Sequence, residues 1–184
     1  ASEEIISALF GYGSFNEVSV ANSGKALYYF ALGLPAFSLI KVFSSFFFAN
    51  HDTKIPFYIS LFSVLINIVI SISYFNEIGF IIIPIATTIS SWLNAILLFA
   101  FLKNRNLFSF NNIFLVRFVK IIVASLLMAI FFNFLITYFK YELAFNQNLK
   151  SFYLILSVML SLLFYLLVSY WIKAFKMSDI KLKY

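Results

Sequence analysis

The sequence contains no cysteine and one histidine, and only 11% of its residues are charged. The absence of cysteine excludes disulfide bonds and thiolate metal sites. A single histidine, with neither an H-x-x-x-H pattern nor an acidic cluster, provides no ligand set for a catalytic metal. The few polar side chains form no nucleophile–base pair and no glycine-rich phosphate loop. We therefore expect no enzymatic activity, no metal or other cofactor, and no nucleic-acid partner.

Hydrophobic residues make up 63% of the 184 residues, and the mean hydropathy is +0.99. A soluble domain averages about 25% charged residues, so this composition indicates an integral membrane protein. Five apolar runs each hold the roughly 20 residues that a membrane-spanning helix needs. The predicted fold class is an all-α membrane protein with five transmembrane helices, spans A to E, at residues 26–48, 55–75, 79–102, 114–138 and 152–175.

The spans divide the chain into three expected segments: an outer turn with a helix extension at 1–25, three transmembrane helices at 26–102, and two additional helices with a basic cytoplasmic tail at 103–184. Ser14 and Glu17 match the capping box S-x-x-E, which predicts a helix start near Phe15. The chain begins with Ala and lacks the basic n-region of a signal peptide. We expect it to be the C-terminal piece of a longer polypeptide.

Basic residues near the span ends are distributed unequally between the two sides of the membrane. Nine fall on the side of the C-terminus: Lys54, Lys103, Arg105, Arg117, Lys120, Lys173, Lys176, Lys181 and Lys183. Three fall on the opposite side: Lys25, Lys140 and Lys150. Because cytoplasmic loops carry the excess of lysine and arginine, this distribution predicts a cytoplasmic C-terminus and an N-terminus outside.

Polar side chains form rows along spans B and C, since residues three or four apart share a helix face. Each row falls within about 80° of arc: Ser60, Ser63, Asn67, Ser71 and Tyr74 in B, and Pro84, Thr87, Ser91 and Asn94 in C. Small and hydroxylated rows are typical of close helix packing in lipid. The two asparagines fit packing and cavity lining equally, because an amide needs hydrogen-bond partners in a bilayer.

Lys41 lies in the apolar part of span A, roughly 10 Å from its inner end. A lysine at the centre of a membrane helix costs about 2.5–3.5 kcal/mol on insertion scales. Two interpretations stay open. The side chain either snorkels to the cytoplasmic headgroups, or it faces a hydrated cavity and attracts an anionic headgroup. Beyond the span, His51 and Asp52 are expected in a solvated turn.

Three stretches, in order along the chain, resemble motifs of one transporter family. Leu9 to Phe15 reads LFGYGSF, Tyr29 to Pro56 reads YFALGLPAFSLIKVFSSFFFANHDTKIP, and Ala86 to Leu98 reads ATTISSWLNAILL. These stretches resemble motifs of the MurJ/MviN lipid II flippases of the MOP transporter superfamily. Spans D and E are similar to that family only in length and position.

The resemblance implies a flippase of fourteen helices, of which spans A to E are the last five. It implies translocation of an undecaprenyl-pyrophosphate-linked peptidoglycan precursor across the bacterial inner membrane, by alternating access between two lobes. The implied partners are membrane lipid, this lipid-linked precursor and the missing N-terminal half of the same polypeptide. Spans D and E are implied to form a groove for the lipid tail.

The resemblance also implies candidate site residues. Lys41 and Asn94 stand at motif positions and are candidates for contact with substrate or cavity. Asp52, Thr53 and Lys54 form the cytoplasmic motif turn. The arginines and the aspartate with which the family holds the pyrophosphate and the sugar fall outside this chain.

A further set of oxygens resembles the cation site of sodium-coupled members of the family. It comprises Asn67, Ser71, the carbonyl of Ile83 and Thr87, and we expect Asn67 to approach Thr87 across two neighbouring spans. Ser71 stands where those members have an acidic residue. A sodium ion without a nearby carboxylate would be an uncompensated charge in a low dielectric. We therefore expect a hydrogen-bonded polar seam with weak or no sodium binding.

Two other functions stay open on the sequence alone. One is export of polysaccharide-linked lipids or drugs by a member of the same superfamily, which the GLPAF…KV and DTK motifs disfavour. The other is a membrane assembly subunit without transport activity. A reading frame that continues this chain upstream with further helices would exclude the second.

Overall fold

A computed structural model describes residues 1–105 and 112–174, which contain no β-strand. The helices are α1 (Ser2–Phe10), α2 (Glu17–Ala49), α3 (Lys54–Ile78), α4 (Ile82–Asn104), α5 (Asn112–Tyr138) and α6 (Lys150–Trp171). Helices α2 to α6 correspond to the predicted spans A to E, which confirms the all-α membrane fold. The predicted basic tail lies outside the described residues.

The chain forms two compact units. The terminal unit comprises Ala1–Val20 and the chain from Phe110 onward, and the central unit comprises Ala21–Ser109. The sequence-based division at residues 25 and 102, into an outer segment, three transmembrane helices and two additional helices with a tail, stays a prediction.

The start of α2 differs from the predicted capping box. The helix begins at Glu17, and Asn16 caps it, because Asn16 Oδ1 accepts hydrogen bonds from the Ser19 N–H at 2.9 Å and the Ser19 hydroxyl at 3.0 Å. The capping role predicted for Ser14 was wrong. Asparagine is as good an N-cap as serine, and Asn16 directly precedes the first helical residue.

The other end of α2 forms a Schellman motif. The Asp52 N–H donates to the Phe47 carbonyl at 3.0 Å, and the His51 N–H donates to the Phe48 carbonyl at 3.0 Å. His51 has φ 58°, the left-handed conformation that this cap requires. The cap ends α2 and directs the chain into α3, which begins at Lys54.

Helices α3 and α4 form an antiparallel hairpin. Only the 3-10 turn Gly79–Ile81 separates them, and Gly79 has φ 73°, which glycine adopts without strain. The stretch Lys54–Asn104 has 51 residues, so a straight helix would be about 76 Å long, against about 30 Å of hydrocarbon. The hairpin avoids this mismatch, and its two helices pack against each other.

By length and composition, four stretches can cross a membrane: Glu17–Ala49, Lys54–Asn104, Phe114–Tyr138 and Lys150–Trp171. Because the second stretch is the α3–α4 hairpin, the described residues provide five helices of membrane length. Large apolar side chains are exposed along all of them, as a lipid-facing surface requires.

Each unit has its own apolar core. In the central unit, Phe43 and Phe47 of α2 pack with Ile59 of α3 and with Leu98 and Leu102 of α4. This core joins all three helices of the unit near the motif turn.

In the terminal unit, α6 packs against both α5 and α1. Ala8 of α1 joins the core there with Leu143 and Leu154. Two serines of α6, Ser157 and Ser161, are fully buried, and each hydroxyl donates to a carbonyl of its own helix. These two hydroxyls are therefore satisfied within the helix, whereas the buried Ser169 hydroxyl has no partner among the described residues.

Candidate functional site

The central unit contains a polar recess between α2, α3 and α4, with a volume of about 320 Å³. Its lining consists of Phe37, Ile40, Ser60, Ser63, Val64, Asn67, Thr87, Ser90, Ser91 and Asn94. Seven of these ten side chains carry a hydroxyl or an amide, and none is charged. We call this surface the polar recess.

Asn67 connects the two helices of the hairpin. Its Nδ2 donates to Thr87 Oγ1 at 3.1 Å and to Ser90 Oγ at 3.3 Å. The Thr87 hydroxyl donates in turn to the Ile83 carbonyl at 2.8 Å. The predicted approach of Asn67 to Thr87 is therefore present in the structure, whereas the contact with Ser90 was not predicted.

Asn94 forms the second amide contact. Its Nδ2 donates to Ser60 Oγ at 3.4 Å, while its Oδ1 is buried and has no hydrogen-bond partner among the described residues. Ser60 precedes Asn67 by seven residues and Asn94 follows Thr87 by seven, as antiparallel helices require. The two contacts lie about two helical turns apart along the same interface.

The hydroxyls of the recess mostly donate to their own helices. Ser63 donates to the Ile59 carbonyl at 2.9 Å, and Ser90 and Ser91 donate to the Thr87 carbonyl at 3.0 and 2.6 Å. A hydroxyl whose proton is used in this way keeps lone pairs that can accept. The recess therefore offers acceptor atoms without negative charge. It suits a neutral hydrogen-bond donor better than a cation, whose charge would be uncompensated.

Helix α2 is held against α4 by two hydrogen bonds. Thr88 Oγ1 donates to the Tyr29 carbonyl at 2.6 Å, and Trp92 Nε1 donates to the Leu32 carbonyl at 3.1 Å. A Cβ atom at Gly33 would lie 3.1 Å from Thr88 Oγ1, so the glycine permits this close approach. These contacts hold α2, which contributes Phe37 and Ile40 to the recess lining, beside α4.

Two other candidates lie outside the recess lining. Lys41 is exposed, and its neighbour Ile40 lines the recess instead. Its role as a substrate or cavity residue stays a prediction. Ser71 lies one turn beyond Asn67, and its buried hydroxyl has no partner in the described part of the chain. The Ile83 carbonyl accepts from Thr87, so Asn67, Thr87 and Ile83 form a hydrogen-bonded polar seam that the Ser71 hydroxyl does not join.

The motif turn is tied to the end of α4. Asp52 Oδ1 accepts from the N–H groups of Lys54 at 3.1 Å and Ile55 at 3.3 Å, and Asp52 Oδ2 pairs with Arg105 Nη1 at 2.6 Å. The Ile55 amide and the Arg105 guanidinium lower the pKa of the Asp52 carboxyl. Thr53 forms no side-chain cap bond. Arg105 was not predicted as the partner of Asp52, because in the sequence it stands only as one of the basic residues near the span ends.

The chain matches the family model described as "Lipid II flippase MurJ" over residues 1–154. It is 36% identical over 128 residues to a probable lipid II flippase MurJ of Rhizobium meliloti (strain 1021), a match that covers 70% of this chain and 24% of the relative. It is 37% identical over 100 residues to a probable lipid II flippase MurJ of Rickettsia prowazekii (strain Madrid E), covering 54% of this chain and 20% of the relative. A lipid II flippase MurJ of Burkholderia cenocepacia is 27% identical over 125 residues, covering 68% and 24%.

The chain thus spans about a quarter or less of the length of these curated relatives. The family match includes the polar recess, the motif turn and all helices up to the start of α6. The resemblance carried by the three sequence motifs is confirmed. This chain belongs to the MurJ family of lipid II flippases.

Proposed function

We propose that this chain is part of a transporter that moves a lipid-linked peptidoglycan precursor across the bacterial inner membrane by alternating access. The family match over residues 1–154 carries the proposal, because the relatives bear the name lipid II flippase. A flippase moves its substrate without transforming it, so no residue of the chain is assigned a catalytic role.

The polar recess is the part of this chain that we propose to face the transport path. Polar surface at membrane depth is tolerated where it is buried in protein or lines a cavity. Alternating access needs two lobes that move about a central site. We therefore propose that this chain contributes helices to one lobe. A preceding part of the same polypeptide would supply the second lobe.

A reconstitution experiment tests the flippase proposal. The full-length protein in liposomes should translocate an undecaprenyl-pyrophosphate-linked precursor, whereas liposomes with the present chain alone should not exceed empty ones. Failure of the full-length protein would contradict flipping of this substrate. Translocation by the chain alone would contradict the requirement for a second lobe. A polysaccharide-linked lipid assayed in parallel distinguishes the exporter alternative.

For the topology, we propose a cytoplasmic C-terminus. The excess of basic residues on one side supports it. The Asp52–Arg105 ion pair joins the turn after α2 to the end of α4, two points that this topology places on the same side. Cysteines introduced at Asn104 and Gln147 should react with membrane-impermeant reagents from opposite sides. Labelling of both from outside in intact spheroplasts would contradict the proposal.

For Lys41, we propose a role that needs a cation. Its exposed position on α2 fits either contact with anionic headgroups or contact with substrate. In a complementation assay with matched expression, Lys41→Arg should be tolerated better than Lys41→Leu. Lys41→Gln separates the two roles, because it should impair transport only if the charge meets substrate. Normal growth with Lys41→Leu would remove any functional role for this residue.

A further inference from the structure

Lys150, the first residue of α6, is buried, with only 1% of its surface exposed. A buried lysine normally pairs with a carboxylate. No described carboxylate oxygen lies within 4.0 Å of Lys150. Instead, its Nζ donates to the Gly11 carbonyl at 2.6 Å and to the Phe145 carbonyl at 2.8 Å.

Two aromatic rings complete the surroundings of this ammonium group. The Lys150 Nζ lies 4.3 Å from the centroid of the Tyr12 ring and 4.6 Å from that of the Phe145 ring. Both distances are within the range of cation–π attraction. A Cβ atom at Gly11 would lie 3.1 Å from the same Nζ, so the glycine leaves room for the cation.

Neighbouring contacts join the same two segments of the terminal unit. The Tyr12 hydroxyl lies 2.7 Å from Ser151 Oγ, and the Ser151 hydroxyl donates to the Ala8 carbonyl. Ala8 itself is fully buried. These contacts, most of them made by the Lys150 ammonium, therefore hold residues 1–13 against the start of α6.

We propose that Gly11, Tyr12 and Phe145 form a binding site for a primary ammonium group, which Lys150 fills from within the chain. The site recognises this group through two carbonyl acceptors and two ring faces, which together favour a positively charged donor. Lys150 is thus a positioning residue that holds residues 1–13 against α6. When its side chain is shortened, the vacated site takes a small alkylammonium ion from solution.

Chemical rescue tests this proposal in the full-length protein in detergent. Lys150→Ala removes three methylene groups and the ammonium, which n-propylammonium replaces. The variant should melt at a lower temperature than the parent. Added n-propylammonium chloride should raise its melting temperature again, and this rise should saturate with concentration. Sodium chloride at equal ionic strength and n-propanol should not. Lys25→Ala, at an exposed lysine near the start of α2, should neither lose stability nor respond.

A destabilised Lys150→Ala variant that n-propylammonium fails to rescue would overturn the proposal. Equal rescue by n-propanol would also overturn it, because the site would then require a group of the right size but no positive charge. If Lys150→Ala does not fold, Lys150→Met keeps the side chain up to the position of Cε and removes the ammonium group. An unchanged melting temperature for Lys150→Met would contradict the ammonium requirement.

A second readout reports directly on residues 1–13. The chain contains no cysteine, so Ala8→Cys is a single reporter within it for release of α1 from α6. Lys150→Met should raise the labelling rate of this cysteine about tenfold or more, because hydrogen bonds to a charged group contribute at least that factor. Unchanged labelling would show that the ammonium does not hold the segment.

Discussion

The central and terminal units both bury polar groups between helices, but they differ in what those groups meet. In the polar recess, the Asn67 and Asn94 amides meet neutral hydroxyls, and Asn94 Oδ1 has no partner among the described residues. In the terminal unit, the Lys150 ammonium meets two carbonyls and two rings. The recess can therefore accept a further donor, whereas the ammonium site is already filled and holds two segments together.

The two kinds of contact also differ in strength. A hydrogen bond between neutral groups contributes about 0.5–1.5 kcal/mol to stability, and one to a charged group contributes about 1.5–3 kcal/mol. We therefore expect changes around Lys150 to have larger effects than changes in the recess, and changes at the exposed motif turn to have smaller ones.

The largest expected effect comes from Gly11→Ala. The added Cβ would lie 2.5 Å from the Ser7 carbonyl oxygen and 3.1 Å from both Lys150 Nζ and Phe145 Cε2, so the backbone must shift. Overpacking of this kind costs about 1–3 kcal/mol. Reversible unfolding in mixed micelles measures the loss.

Gly13→Asn is the matched control for that substitution. Gly13 has φ 62°, which asparagine tolerates, and a Cβ there meets nothing within 4 Å. Its stability should match that of the parent. Equal unfolding free energies for the two variants would show that the close contacts at Gly11 do not determine the stability of the terminal unit.

An intermediate effect is expected from Asn67→Leu, which removes the donor shared by Thr87 and Ser90. The expected loss in unfolding free energy is about 0.5–1.5 kcal/mol. Asn76→Leu, at an exposed asparagine near the end of α3, should cost less. A double-mutant cycle with Thr87→Val should give a coupling of about 0.6 kcal/mol, and zero coupling would contradict the seam.

A smaller effect that depends on pH is expected from Asp52→Asn. The pKa of Asp52 is lowered by the Ile55 amide and Arg105, so its charged form stabilises the folded chain above the unfolded pKa. The parent should melt slightly higher than the variant at pH 7. This difference should vanish as the pH falls below about 4, through the lowered pKa. Glu77→Gln, at an exposed carboxyl, should show no such difference.

The smallest effect expected is that of sodium. A ligand that binds only the native state raises its melting temperature. Because the described lining of the recess carries no charge, the melting temperatures in sodium and choline buffers should agree. A rise in sodium that Asn67→Leu abolishes would show that the seam binds the ion despite its neutrality.

The hairpin and its polar seam could be predicted because helical periodicity fixes which residues share a face. Asn67 and Thr87 sit in rows of spacing three and four, and a short connection makes their helices neighbours. Ser90 was not predicted because it directly precedes Ser91 and so falls outside the row assigned to span C. The long Asn67 side chain nevertheless reaches it.

The contacts of Lys150 and Arg105 could not be predicted in the same way. Gly11 and Lys150 are 139 positions apart, and Asp52 and Arg105 are 53 apart, so no local spacing relates them. Their positive charge suggested a solvated end of a span. For Lys41, the sequence left open whether the side chain snorkels to the headgroups or faces a hydrated cavity, and its exposed position fits either.

Only three residues separate α3 from α4, so the partner of Asn67 is synthesised soon after Asn67 itself. An amide alone in the hydrocarbon would lack hydrogen-bond partners, at a cost of several kcal/mol. Between Ile55 and Asn76, and again between Ile78 and Leu102, the hairpin carries no charged residue that would oppose insertion. We therefore expect α3 and α4 to enter the bilayer together as one hairpin, with Asn67 and Thr87 already paired when they leave water.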